Sequence, residues 1–334
     1  MSDSTAAAAR GQSREILYNP WLHGFALAVM LFTFVLLLAG GNVTSKAAGM
    51  AVPDWPLSFQ SINPEGWTTN MGGSIPGVRD EHGHRLIGAT VGFLVTVLAV
   101  WLAARDPRRW VKVMGVAAWV AVVIQGVMGG LRVTENSVVL ATIHGCFAQA
   151  FFVLTVVLVV VTSRQWLDDA RLAPKPEGEP PTPFENAALA WATAGCVLII
   201  YIQLVLGAIL RHLAWTWIPH MVWAVMVGLA LMAAARYVFE HPYASRRLSG
   251  PIVTALVLYF VQLALGLMTL IVIYPMWSEG VRNPQTLAQD WLPTAHLAVG
   301  AAILGLAAYL AVRAGGISRW SPGVERTEAE GVPA

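Results

Sequence analysis

The chain reads as an all-α membrane protein, and three observations carry that prediction. Hydrophobic residues make up 56% of its 334 residues and charged residues 12%, against roughly 25% charged in an ordinary soluble domain. The excess is gathered in eight apolar runs, near 21–41, 84–104, 111–131, 138–162, 187–210, 215–235, 251–273 and 292–313. Each is close to the roughly 20 residues that cross the hydrocarbon core of a bilayer. The runs are continuous, without the alternation of a barrel strand, so helix is the spanning structure that satisfies its own backbone in lipid.

The flanks of these runs predict orientation. Residues 1–20 are polar and Ala-rich with Arg10 and Arg14, and the run that follows is longer than a signal-peptide core, so we read a cytoplasmic tail and a retained first helix. Arg105, Arg108, Arg109, Lys112, Arg164, Arg171, Lys175, Arg236, Arg246, Arg247, Arg313, Arg319 and Arg326 fall on the same side as Arg10 and Arg14. Lys46, Arg79, Arg85, Arg132, Arg211 and Arg282 fall on the other. The imbalance predicts both termini in the cytoplasm, and the expected setting is a bacterial cytoplasmic membrane. No basic block points to nucleic acid. Cys146 and Cys196 both fall inside apolar runs and read as packing residues.

The Pro/Glu-rich stretch 171–185 separates the first four runs from the last four. The expected organisation is a tail over 1–20, an N-terminal four-helix half over 21–165, a cytoplasmic linker over 166–186, a C-terminal four-helix half over 187–315 and a tail over 316–334. Gln125-xxx-Gly129, Gln203-xxx-Gly207 and Gln262-xxx-Gly266 recur along the chain. With an even number of helices in each half, this suggests a parallel duplication, two bundles related by a pseudo-twofold along the membrane normal.

Four histidines mark the site. His84, His144, His220 and His296 lie at or within about one turn of the starts of the second, fourth, sixth and eighth runs, near the outer face. Ionisable groups inside a membrane are costly and usually face a bundle interior, and neutral imidazole is a common haem-iron ligand. Four at matched positions predict two bis-histidine haem sites, whereas one alone would as readily bond a neighbouring helix. A closed zinc site is disfavoured by the lack of further carboxylate or thiolate ligands. His23, His82, His212 and His241 are left outside the ligand set. Pro219 and Pro293 are expected at helix starts, where a missing amide hydrogen costs nothing.

The first pair has additional chemistry nearby. Glu81 precedes His84 by three residues and shares its helical face if the helix starts early. It reads either as a general base beside a haem or as an acid favoured by the helix dipole. Arg85 reads either as a propionate partner or as an interfacial snorkelling residue. The loop over 42–80 holds Pro53-Asp54-Trp55-Pro56-Leu57 and Asn63-Pro64-Glu65-Gly66-Trp67. Its prolines, glycines and tryptophans predict an ordered lid.

Eight runs, Pro-Asp-Trp-Pro-Leu after the first, Glu-x-x-His-Arg at the second and histidines on the fourth, sixth and eighth resemble the heme A synthase family over roughly residues 20–315. The resemblance implies an oxidoreductase that converts the C8 methyl of haem O to the formyl of haem A by two successive hydroxylations, for cytochrome oxidase assembly. It implies His84 and His144 about the substrate iron, Glu81 as the catalytic carboxylate, and His220 and His296 as axial ligands of a haem b cofactor. Haem O synthase, cytochrome oxidase and the lipid bilayer are the partners it implies, and a homo-oligomer is compatible with it. The chain departs from many members in carrying Val52 and Ser58 where they have a cysteine pair. Two alternatives stand beside this: a di-haem b-type electron carrier, and a non-enzymatic haem-handling or assembly protein.

Overall fold

The structure, a computed structural model, describes residues 18–169, 187–213, 215–240, 242–279 and 286–320. Residues 170–186 of the expected linker, His241, Arg282 and most of both tails lie outside the described residues.

Eight long helices form the described chain: α1 Pro20–Ser45, α2 Val78–Arg105, α3 Arg109–Thr134, α4 Val138–Thr162, α5 Ala187–Leu213, α6 Ile218–Glu240, α7 Pro242–Glu279 and α8 Leu287–Trp320. All eight are long and apolar enough to cross a membrane. Large apolar side chains such as Phe93, Leu198 and Ile271 point outward, the arrangement of an integral membrane protein whose solvent is lipid.

Local signals set the helix ends. The Asn19 side chain accepts from the amides of Trp21 and Leu22, with Pro20 opening α1, so an N-cap satisfies donors the helix leaves unpaired. Ser137 caps α4 in the same way through the amide of Leu140. Before it, Asn136 adopts a left-handed conformation and turns the chain between α3 and α4 within three residues.

Two helix starts differ from expectation. α2 begins at Val78, six residues before the apolar run, because Gly77 at φ 89° lets the chain enter the helix beneath the lid. A Cβ on Gly77 would lie 2.7 Å from that of Ala48. Asp80 and Glu81 then occupy the first turn, where the helix dipole favours acids. α8 begins at Leu287, so Pro293 sits inside the helix rather than at its start. The hydroxyl of Thr294 beside it donates to the carbonyl of Asp290 at 2.9 Å.

Packing runs α1 on α2, α2 on α3, α3 on α4 and α4 back on α1; α5 to α8 close on themselves in the same order. The two sets meet where α8 packs on α1 and α4, and where α4 packs on α5. A short helix, Arg164–Asp169, follows α4 and buries Trp166 and Leu167 against the first core, so the chain is still packed where the linker was expected to begin. At the other end Arg211 of α5 donates to the Gly41 carbonyl at 3.0 Å and to Ser45 Oγ at 2.6 Å, both on α1. Ser45 Oγ lies 2.9 Å from Thr294 Oγ1 of α8. This polar junction ties the halves together at the end that carries the four histidines.

Candidate functional site

All four histidines stand against glycine. A Cβ on Gly40 of α1 would lie 3.1 Å from His84 Cε1, and one on Gly129 of α3 would lie 3.0 Å from His144 Cε1. On Gly207 of α5 and Gly266 of α7 it would lie 2.9 Å from Cε1 of His220 and His296 respectively. Each histidine, on an even-numbered helix, thus seats its ring in a notch on the helix before it. In three of the four, a glutamine one turn before that glycine reaches the histidine. Gln125 Nε2 donates to the His144 carbonyl at 2.9 Å, and Gln203 Nε2 to the His220 carbonyl at 2.9 Å. The three amide nitrogens also lie 3.4, 3.4 and 3.3 Å from Nε2 of His144, His220 and His296.

The second pair faces itself. The rings of His220 and His296 are 6.1 Å apart between centroids and inclined at 67°. Two metal–imidazole bonds of about 2 Å, with the ring radii added, span about 6 Å. The described residues hold no group of three or more His, Cys, Asp or Glu side chains able to bind a metal by themselves. A metal between His220 and His296 therefore needs equatorial ligands from elsewhere, as a porphyrin supplies. Buried polar atoms without partners collect at these seats: Nδ1 of His84, His144 and His296, and Oε1 of Gln125, Gln203 and Gln262. Such atoms are rare in folded proteins and each calls for a partner or a role. The residues present fit a bis-histidine haem in the second half.

The first pair is roofed by the lid. Glu81 is buried, with Oε2 accepting the Val52 amide at 2.8 Å and Oε1 accepting Arg85 Nη2 at 2.9 Å. Arg85 donates further to the carbonyls of Val52, Asp54 and Leu57 at 2.8, 2.6 and 2.9 Å, and to Ser58 Oγ at 3.3 Å. Both its terminal nitrogens hold the loop, so a contact from Arg85 to a propionate would have to displace a loop carbonyl. Ser58 Oγ also lies 2.9 Å from His82 Nδ1, and the His82 ring meets Trp67 edge-on at 4.9 Å. Val52 and Ser58, where many family members carry cysteines, here fasten the loop through hydrogen bonds to Glu81, Arg85 and His82. Sequence reading set His82 aside as a ligand and did not find this anchoring role. Arg132 at the end of α3 was also missed; its Nη2 donates to the Gly49 carbonyl at 3.2 Å.

Trp55 closes the lid onto α3. A methyl on Gly130 would overlap the Trp55 indole. Gly130→Ala is therefore expected to lift the lid, at a cost of about 1–3 kcal/mol for overpacking. Limited proteolysis within 50–75 would detect it, and a cleavage rate equal to wild type would refute the contact.

Asp54 holds the lid's inner turn. Its carboxylate accepts the amides of Phe59 and Gln60, each at 2.8 Å, and both those residues have positive φ. Burial opposes ionisation of Asp54, but these amides and the nearby Arg85 outweigh it and hold its carboxyl below the ordinary 3.8. Because the folded value is the lowered one, the stabilisation is complete above the ordinary value and is lost as pH falls through the lowered one. Lid protection against an acid-active protease is expected to be flat down to about pH 4 and to fall below it. Asp54→Asn should abolish that acid step.

Comparison with known proteins follows the same residues. The family model described as cytochrome oxidase assembly protein matches residues 80–218, which include Glu81, His84 and His144. A heme A synthase of Lysinibacillus sphaericus is 26% identical over 199 residues, 58% of this chain and 59% of that protein. A heme A synthase of Alkalihalophilus pseudofirmus is 26% identical over 157 residues, 45% and 49% of the two chains. A third, from Halalkalibacterium halodurans, is 28% identical over 131 residues, 38% and 39%. Over part of its length the chain is similar to heme A synthases. It spans about half the length of the curated relatives it matches. The matched family model stops at residue 218, so the seats of His220 and His296 rest on their geometry rather than on that match. Beside that similarity stands the geometry: a lidded first histidine pair with a buried carboxylate nearby, and a second pair of two facing imidazoles.

Proposed function

We propose that the protein is a heme A synthase: it binds haem O in the first half and oxidises its C8 methyl to the formyl of haem A, for assembly of cytochrome oxidase. The observation that carries the reading is the inequality of two similar histidine pairs. Among the described residues, Glu81 is buried three residues from His84 beneath an anchored lid, the features a reaction site needs to position a proton acceptor and exclude water. In this reading His84 and His144 would hold the substrate haem through its iron, Glu81 would be the catalytic carboxylate, and His220 and His296 would hold haem b. A haem b bound there supplies one-electron redox chemistry that can draw electrons from the first site.

In each of two successive hydroxylations a C–H bond would break and a C–O bond form, with water as the oxygen donor and a pair of electrons passing to an external acceptor; the methyl becomes a hydroxymethyl and then a gem-diol, which loses water to give the aldehyde. Glu81 is held as an acceptor by Arg85 and the Val52 amide and would take a proton during those oxidations. Lid contacts through Arg85, Trp55 and His82 would keep bulk water from the site. Both termini would lie in the cytoplasm, with the haem sites near the outer face, and the halves would be related by a pseudo-twofold. A domain boundary within the linker, and contact with haem O synthase or cytochrome oxidase, belong to the same proposal.

Coexpression with a source of haem O, followed by haem extraction and mass analysis, tests it. Hydroxylated or formyl haem is expected. Unchanged haem, with both sites loaded, would favour the di-haem electron carrier.

A further inference from the structure

The four histidine seats are not equal, and the difference lies on α1. Each seat has a notch glycine and a residue four positions before it. That residue is Gln125, Gln203 or Gln262 in three seats and Leu36 in the fourth. Leu36 occupies the same place as the glutamines. Its Cδ1 lies 3.8 Å from a Cβ built on Gly88, four residues after His84; Gln262 Nε2 lies 3.1 Å from one built on Gly300, four residues after His296. The seat of His84 therefore keeps the glycine notch and the side-chain position but lacks the amide.

An amide in this position meets both the ring edge and, for His144 and His220, the histidine's own carbonyl. It restricts rotation of the ring about its side-chain bonds, at the His220 seat together with the Gln203 main-chain carbonyl 3.2 Å from Nδ1, and keeps the imidazole aimed. A leucine offers van der Waals contact only, without directional preference.

We propose that Gln125, Gln203 and Gln262 are positioning residues that fix His144, His220 and His296 as haem ligands, and that Leu36 leaves His84 as the releasable one. The inference rests on the haem reading given under Proposed function and adds a division of labour to it. A resident cofactor needs two fixed ligands, as at His220 and His296. A haem that arrives as substrate and leaves as product needs one ligand that lets go, and His84 is that ligand, beneath the lid through which exchange would pass.

The test loads the purified full-length protein with iron protoporphyrin IX and follows haem transfer to excess apomyoglobin through the Soret band. Wild type is expected to lose haem in a fast phase from the first site and a slow phase from the second. Leu36→Gln should slow the fast phase about tenfold or more, the factor that corresponds to about 1.4 kcal/mol. Leu36→Met, of similar length without an amide, should leave it unchanged. Gln203→Leu should speed the slow phase by a similar factor while the total helicity of the protein by circular dichroism stays that of wild type. A fast phase indifferent to Leu36→Gln in folded protein, or a slow phase indifferent to Gln203→Leu, overturns the proposal. Should Leu36→Gln fail to fold, the Gln203→Leu arm decides alone. Wild type that takes up no haem at all would instead refute the haem reading itself, a result distinct from haem bound with insensitive rates.

Discussion

If the second pair holds haem b as proposed, His220→Ala and His296→Ala are each expected to strip the haem b spectrum from the purified protein while leaving the fold in place. Each substitution removes one of two facing rings 6.1 Å apart, and no third protein ligand stands by among the described residues. A single remaining imidazole leaves the iron five-coordinate at best, so the low-spin bis-histidine bands should vanish even where some haem is retained. The scaffold should survive because Gln203 donates to the main-chain carbonyl of residue 220, which alanine keeps. The surrounding α5–α8 core of Leu231, Leu248, Ile252 and Leu304 does not involve the ring. Optical spectra of both variants check this, and an unchanged low-spin spectrum in both would remove the pair from the ligand set.

Glu81→Gln is the second large effect. The amide is nearly isosteric and its remaining oxygen can still accept the Val52 amide. Arg85 loses its charged partner but keeps the carbonyls of Val52, Asp54 and Leu57. The lid should therefore stay closed and haem O should still bind. Oxidation should fall by about 10²–10⁴-fold, the usual contribution of a positioned acid–base group. Glu81→Ala is a harsher probe, since it leaves a buried amide unpaired at a cost of about 1–3 kcal/mol. Mass analysis of extracted haem, run beside proteolysis of the lid, separates the roles. Undiminished product with Glu81→Gln would make Glu81 a lid anchor and nothing more.

The eight spans were legible because an apolar run of bilayer length has one way to satisfy its backbone in lipid. The start of α2 was less so. The apolar run begins near residue 84, yet the helix begins at Val78, since Glu81 and His82 are buried by the lid rather than by lipid. A hydropathy pattern records the solvent of a segment and is blind to a polar turn covered by a distant loop. Pro293 misled in a related way: a proline tolerated in the interior of α8 looks like one at a helix start until the preceding turn is seen.

Arg85 shows a different limit. Its partners are mostly main-chain carbonyls, which every residue possesses, so no side-chain pattern could have chosen the loop over a propionate. The glutamines and glycines were visible as a repeat, but what they hold was not, because Gly207 and His220 are 13 residues apart in sequence and Gly266 and His296 are 30 apart.

By itself the sequence determined the class of the protein, the number of its spans and the four histidines, because hydrophobic length and a costly intramembrane imidazole are properties of residues and their spacing. Only the tertiary structure decided which groups meet: that the lid hangs on Glu81, Arg85 and His82, that each imidazole rests in a glycine notch, and that Leu36 stands where three glutamines stand elsewhere. Those contacts join segments on different helices, and their geometry exists only once the helices have packed.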